Sequence, residues 1–242
     1  SESQIEDYRF TTTGEYGGIG ASIKKIKNNI VISELYKNSP AYKSGLKPGD
    51  IILKIDAILI KNNILIKEVG DLLKGPAKST IELTIKRNDN IQNILVKREE
   101  IKLPSVPVYK KINSKTGYIK LTSFTQTAAS ETKQALLNLK KKNISNLILD
   151  LRSNGGGLLK ESVKIVNFFI PKGQLIVKTK SRIPEMNRAY FTTLNPIDTT
   201  LKIIVLIDEN SASASEIVAG SLQDLDKAVI VGENSYGKGL VQ

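Results

Sequence analysis

The stretch from Leu147 to Phe169, LILDLRSNGGGLLKESVKIVNFF, holds one complete structural unit. Leu147-Ile148-Leu149-Asp150-Leu151 is an apolar run of strand length, and Asn154-Gly155-Gly156-Gly157 breaks it with a turn. From Leu158 to Phe169 the apolar residues return at helical spacing, with Leu159, Val163, Val166 and Phe169 near one face. Strand, glycine turn and helix in that order predict a βα unit. The bare amides of its turn lie at the strand's C-terminal end, where they can approach an anion closely.

The alternation continues on both sides. Gly117-Tyr118-Ile119-Lys120-Leu121 reads as a strand, and Ala128 to Lys142 as a helix with Ala128, Ala135, Leu136 and Leu139 at helical spacing. Ile203 to Ile207 is a further strand, Ser211 to Leu222 a helix, and Ala228 to Val231 another strand. The result is an α/β core whose sites are expected at the C-terminal ends of its strands. Upstream, Gly17 to about Arg98 consists of short strands and tight turns with one helical stretch near Ile64 to Leu73. Pro104 and Pro107 mark the joint, since each removes a backbone donor and biases its predecessor to an extended conformation. The expected division is an N-terminal segment at 1–16, a recognition domain at 17–100 and a catalytic core at 101–242.

Composition removes several function classes. The 242 residues include no cysteine and no histidine, so disulfides, thiolate sites and the commonest metal ligand are absent, and neither a metal nor a cofactor is expected. The net charge of +12 is spread thinly, and aromatics are only 5% and not interleaved with basic residues, which argues against a nucleic-acid partner. No apolar run approaches membrane-span length, and the opening SESQIEDYRF lacks the basic head and apolar region of a signal peptide.

Near the end, Ser211-Ala212-Ser213-Ala214-Ser215-Glu216 precedes a lone Gly237-Lys238-Gly239. A serine at a helix N-terminus after a strand has its hydroxyl exposed, with the helix's first amides ready for an oxyanion. Helix capping alone also accounts for serines at such positions. With no imidazole in the chain, lysine is the leading candidate for the base. An ordinary lysine has a pKa of ~10.4, and a useful base needs ~7 to 8, a difference of about 4 kcal/mol that burial in an apolar pocket can supply. Leu240 and Val241 fit such a pocket beside Lys238, although a solvated surface lysine is the ordinary outcome at such a position. Neither a GxxxxGK[ST] run nor a GxGxxG is present, so the glycine turn reads better as an oxyanion hole using the Gly156 amide than as a phosphate cradle.

These residues resemble the carboxyl-terminal processing peptidases, the tail-specific serine proteases. The family has a serine in an S-A-S-A-S-E context, a lysine in G-K-G twenty-five residues later and a glutamine four further on, as Ser213, Lys238 and Gln242 stand here. Asp150 to Gly157 matches its D-L-R-x-N-[PG]-G-G turn, and Gly117-Tyr118-Ile119 its G-Y-I strand. The resemblance implies that Ser213 is the nucleophile, Lys238 the general base and Gln242 the residue holding the lysine, with Asp224 in a supporting role. It implies Gly156 and Ala214 as oxyanion donors, in an α/β peptidase core of crotonase-like ββα units. Because the family continues past its glutamine, the resemblance further implies that the C-terminal part of the core is missing here, which cautions against expecting activity from this polypeptide by itself.

Tyr16-Gly17-Gly18-Ile19-Gly20 resembles the carboxylate-binding loop of PDZ domains in that family, and Ser39 to Asp50 their short helix and turn. A PDZ domain of mixed β-barrel and α type is therefore expected, with a terminal carboxylate on Gly17, Gly18, Ile19 and Gly20 and a groove lined by Val69 and Leu73. Plain core packing is the other reading of Val69 and Leu73. Ala57 departs from the family's glycine after Asp56, which predicts a different hairpin turn. The implied partners are unfolded or loosely structured proteins with accessible C-termini, an adaptor or regulator, and a membrane reached through parts outside this chain. The implied location is the bacterial periplasm or another extracytoplasmic space. Two functions follow from these readings: a serine endopeptidase that cuts upstream of a captured tail, or a PDZ adaptor on a silent peptidase core.

Overall fold

In the computed structural model, which describes residues 12–240, the chain forms two units: Glu15–Lys102, and Leu103 onward together with the residues up to Gly14. In the first, β1 (Glu15–Gly18) pairs antiparallel with β8 (Glu99–Lys102), so the unit's two ends meet in one ribbon. Between them run β2 (Ala21–Ile26), β3 (Asn29–Leu35), α1 (Pro40–Lys43), β4 (Ile51–Ile55), β5 (Ile58–Leu59), α2 (Ile66–Leu73), β6 (Thr80–Arg87) and β7 (Asn90–Lys97). The strands form an antiparallel sheet in the order β2-β3-β4-β6-β7, with β5 on β4. Period-two alternation sends Ile81, Leu83 and Ile85 of β6 inward, where they meet Ile30, Ile32, Ile52 and Val69. Ser39 caps α1 by accepting from the Tyr42 amide, with Pro40 at the first helical position. At the β4–β5 hairpin the positive φ falls on Asp56 (48°) and not on Ala57, and the Asp56 carboxylate accepts from the Glu82 amide at 2.8 Å. Aspartate tolerates that conformation better than alanine, so the missing glycine is accommodated by moving the turn's left-handed residue back one position.

The second unit contains β9 (Val108–Lys111), β10 (Thr116–Lys120), α3 (Ala128–Lys140), β11 (Asn146–Asp150), α4 (Leu159–Val166), β12 (Leu175–Thr179), β13 (Arg188–Phe191), β14 (Lys202–Ile207), α5 (Ala214–Asp224) and β15 (Ala228–Gly232). One sheet has the order β15-β14-β11-β10-β9, parallel except for the β9 edge. Leu147, Leu149, Ile203 and Val205 pack against Leu136, Leu139, Ile165, Val218 and Leu222 of the helices. Alternate residues Ile204, Val229 and Val231 stay exposed. Helix α4 stops at Val166, earlier than its apolar pattern suggests, while Phe168 and Phe169 remain buried in the turn that follows. Strands β12 and β13, which the sequence pattern did not announce, form a separate hairpin. Among the described residues no helix is long and apolar enough to cross a membrane.

Candidate active site

Parallel strands β11, β14 and β15 are neighbours, so the segments leaving their C-terminal ends converge. These are the glycine turn after β11, the serine turn after β14 and the Gly237-Lys238-Gly239 loop after β15. Topology alone brings together motifs that lie eighty residues and more apart in sequence.

The first two turns are laced to each other. The Asn154 carbonyl accepts from the Ala212 amide at 3.0 Å and from Ser215 Oγ at 2.8 Å. Ser211 Oγ donates to the Leu151 carbonyl at 2.9 Å, and Asp208 accepts from the amide and hydroxyl of Ser153. Burial tends to raise the Asp208 carboxyl, but these bonds and those from Ser211 and Asn210 bring it below its ordinary value. Gly156, at φ 102°, fits against this assembly only because it lacks a side chain: a Cβ there would lie 2.8 Å from the Ala212 carbonyl oxygen and 2.9 Å from Ser213 Cβ.

The three serines separate cleanly. Ser211 and Ser215 are fully buried with their hydroxyls committed to the glycine turn. Ser213 is half-buried, caps α5 at φ 58° and ψ −113°, and makes no side-chain cap hydrogen bond. Holding a non-glycine residue in such a conformation costs about 1–3 kcal/mol, and the laced turns supply the constraint. Ser213 borders a cavity of about 800 Å³ in which Lys238 and Asp224 also take part. Ala214 is the first residue of α5, where a helix amide has no intrahelical acceptor. The expected donor at Gly156 is different: its amide donates to Asn154 Oδ1 at 2.9 Å and is already committed in this structure. Asn154 is itself fixed by its side-chain amide, which donates to the Leu121 carbonyl at 2.9 Å.

Lys238 corrects an expectation. The apolar pocket foreseen around it is not formed: Lys238 is exposed, Leu240 beside it is 75% exposed, and no hydrogen bond joins Lys238 to Ser213 among the described residues. The physical reason is that residues 233–240 form no helix or strand and their side chains pack against little. Gln242, and Val241 of the same pocket, lie outside the described residues. Asp224 stands eleven residues from Ser213 along α5, about 16 Å at the helical rise, so it lines the far end of the cavity, away from Ser213.

Glu216, the last residue of the serine motif, joins the two halves of the site. One carboxylate oxygen accepts from the Ser213 amide at 2.6 Å and the Lys238 amide at 3.1 Å. The other accepts from Ser235 Oγ at 2.8 Å and the Gly237 amide at 2.7 Å. Burial works to raise its pKa, but the bonds from Ser235, Ser213, Gly237 and Lys238 outweigh that and lower it. The signal was available, because Ser213-x-x-Glu216 is a capping-box spacing and its glutamate is expected to reach back to the cap amide.

The D-L-R part of the glycine turn has a structural task. Buried Asp150 receives two bonds from the Arg152 guanidinium, at 3.0 and 2.7 Å, one from Tyr118 Oη at 2.7 Å and one from Lys120 Nζ at 3.3 Å. Desolvation would raise the Asp150 carboxyl, but these donors hold it well below the usual carboxylate range. The network ties β10 to the end of β11, from which the glycine turn springs.

In the first unit, the Gly17 carbonyl accepts from the Gly75 amide at 3.0 Å, and the packing there leaves no room for a side chain at Gly17. Gly18 ends β1, and the Ile19 and Gly20 carbonyls are taken by the Ala41 and Tyr36 amides. Val69, Leu73 and Ile19 are buried in the unit's core, so they do not line an open groove in this structure. Their apolar side chains gain more from packing with Ile81 and Val96 than from facing solvent. Arg98 closes the C-terminus of α2 by donating to the Leu72 and Leu73 carbonyls.

The sequence pattern of peptidase family S41 matches residues 115–242, more than half of the chain. The chain belongs to peptidase family S41. A PDZ domain pattern matches residues 31–87 of this S41 peptidase. The protein is 35% identical to the "Probable CtpA-like serine protease" of Staphylococcus aureus strain N315, over all of this chain and 48% of that protein. It is 34% identical to the protein of the same name from Staphylococcus haemolyticus strain JCSC1435, again over 48% of its length. The chain thus spans about half the length of the curated relatives it matches. Among solved structures it resembles the photosystem II D1 C-terminal processing protease, at 28% identity and a TM-score of 0.57, over all of this chain and 66% of that one. The S41 and PDZ matches and these likenesses place the chain among the C-terminal processing peptidases.

Proposed function

We propose that this S41 peptidase is an endopeptidase that captures protein C-terminal tails on its PDZ domain and cleaves upstream of them through Ser213. The observation that carries the reading is the state of Ser213: of the three clustered serines it alone keeps an uncommitted hydroxyl, on a strained helix cap beside a cavity shared with Lys238. Lys238, deprotonated when an engaged substrate or neighbouring chain covers it, takes the serine proton and later returns it to the leaving amine. The Ala214 amide stabilises the tetrahedral oxyanion, and Gly156 joins it if Asn154 releases its amide. Gln242 steadies the lysine in this scheme, and Gly17 to Gly20 receive the tail's carboxylate.

A second reading, a PDZ adaptor on a silent core, is favoured by one observation, the exposed Lys238 with no bond to Ser213. An unfolded reporter with an apolar C-terminus separates the two. Turnover by the unsubstituted protein, lost in Ser213→Ala and Lys238→Ala, supports the peptidase. Equal turnover in all three contradicts the Ser/Lys chemistry, and binding without turnover in the unsubstituted protein favours the adaptor.

A further inference from the structure

In the PDZ unit, β2 is the last strand of its sheet and, among the described residues, pairs only with β3, so its second edge carries no strand. Helix α2 runs back along β2. At its C-terminal end the Gly75 amide donates to the Gly17 carbonyl at 3.0 Å, beside the glycine loop. Ahead of its N-terminal end the Ile64 carbonyl accepts from Lys25 Nζ at 3.2 Å, at the other end of β2. The register sets Ile23 opposite Ile32 and Lys25 opposite Ile30, and both partners are buried in the unit's core. Ile23 and Lys25 therefore lie on the face of β2 that looks toward α2.

Charge is uneven along this strand. Residues 21–33 hold Lys24, Lys25 and Lys27 and no acidic residue, so the end of β2 away from the glycine loop is basic. Among the described residues Lys25 has no acidic partner. Its bond goes to a neutral carbonyl, which leaves two of its three ammonium protons for another acceptor. The acidic residues of α2 are engaged elsewhere: Asp71 pairs with Lys74, and Glu68 accepts from the Leu65 amide.

We propose that this domain selects tails that carry an acidic side chain four residues before the terminal one, held by Lys25. A tail whose carboxylate sits at Gly17 to Gly20 adds antiparallel to the free edge of β2, with its terminal residue opposite Ala21. The fifth residue from its end then stands opposite Lys25 and shares its face. Lys25 keeps its bond to Ile64 meanwhile, since the tip of a long side chain makes that contact and the two main chains stay apart. This names the class of tail in the capture reading above and rests on it.

The test uses the Ser213→Ala protein, which holds tails without cutting them, and the anisotropy of fluorescein-labelled ten-residue alanine–serine peptides ending in valine. One peptide has glutamate fifth from the end, one has it fourth and one has lysine fifth; an amidated copy of the first lacks the terminal carboxylate. The first two carry equal charge, so general attraction to the basic end cancels between them. The expected result is binding about three- to fivefold tighter for glutamate at the fifth position than for either alternative, a margin lost in 0.5 M salt. Lys25→Ala should abolish the preference and Lys25→Glu reverse it toward the lysine peptide, with the melting temperature unchanged because Lys25 is exposed. Equal affinity for the fourth- and fifth-position peptides, or a preference that survives Lys25→Glu, overturns the proposal and leaves tail capture standing. Equal binding of the amidated copy, or no binding of any peptide, overturns tail capture and the proposal with it.

Discussion

The serine turn and the Gly-Lys-Gly loop enter the same cavity from adjacent strands, but they are built to different standards. The serine turn is bound to the glycine turn by buried hydroxyls, backbone bonds and the close approach of Gly156. The lysine loop has mostly exposed side chains and is held chiefly by the Glu216 carboxylate, with further bonds from the Tyr236 amide to the Ser211 carbonyl and from the Glu233 amide to the Ile207 carbonyl. In the proposed mechanism the nucleophile sits in the rigid frame, and the proposed base, whose surroundings must change before it acts, is the half left loosely anchored.

The largest effect expected from breaking this contrast is at Gly156. Gly156→Val places side-chain atoms into Ala212, Ser213 and Ala214, so activity on an unfolded reporter should fall by at least a hundredfold and the melting temperature should drop. Activity near that of the unsubstituted protein would show that the serine turn is not rigidly framed. Next is Glu216→Ala, which removes the acceptor for four donors and frees the lysine loop. A loss of ten- to a hundredfold in kcat, with a smaller change in KM and in melting temperature, is expected from steady-state kinetics. The same anchor predicts a pH dependence. Because the Glu216 pKa is lower in the folded protein, its contribution is complete above the ordinary carboxylate value of ~4.3 and is lost as pH falls through the folded value. On acidification through the folded Glu216 value, protection of the Gly237 and Lys238 amides, measured relative to their intrinsic exchange rates at each pH, should therefore be lost before that of the sheet amides.

Asp150→Asn tests the frame further from the cavity. Losing the charge that Arg152, Tyr118 and Lys120 share should cost about 1–3 kcal/mol in denaturant unfolding. The depressed Asp150 pKa adds stability above the ordinary carboxylate range that disappears on acidification, so the variant should show a flatter loss of stability at low pH. The smallest change is Ser215→Ala, which removes one bond to the Asn154 carbonyl, worth about 1 kcal/mol, while the hydroxyl of Ser213 and most activity remain.

The parallel core was legible because its strands are short apolar runs and its helices carry regular apolar spacing, so Leu147 to Asp150 and Ile203 to Ile207 stand where the pattern puts strands. The family resemblance pointed to Ser213, and the structure shows Ser211 and Ser215 with their hydroxyls committed to other partners. What stayed hidden depends on contacts distant in sequence. The β12–β13 hairpin holds two short apolar runs, Leu175-Ile176-Val177 and Ala189-Tyr190-Phe191, that neither alternate nor repeat at helical spacing, so no period marks it. Exposure of Lys238 follows from what fails to pack on residues 233–240, which the neighbouring Leu240 could not reveal. Asp224 is close to Ser213 in sequence and about 16 Å away along α5, because a helix converts that separation into three turns.

The most direct test of the contrast between the serine turn and the lysine loop is reaction with a fluorophosphonate probe, followed by mass spectrometry of the labelled peptide. One adduct on Ser213, with Ser211 and Ser215 unmodified and labelling slowed in Glu216→Ala, is the predicted result. An adduct on Ser211 or Ser215, or cleavage of the unfolded reporter by a protein whose Ser213 stays unlabelled, would contradict it.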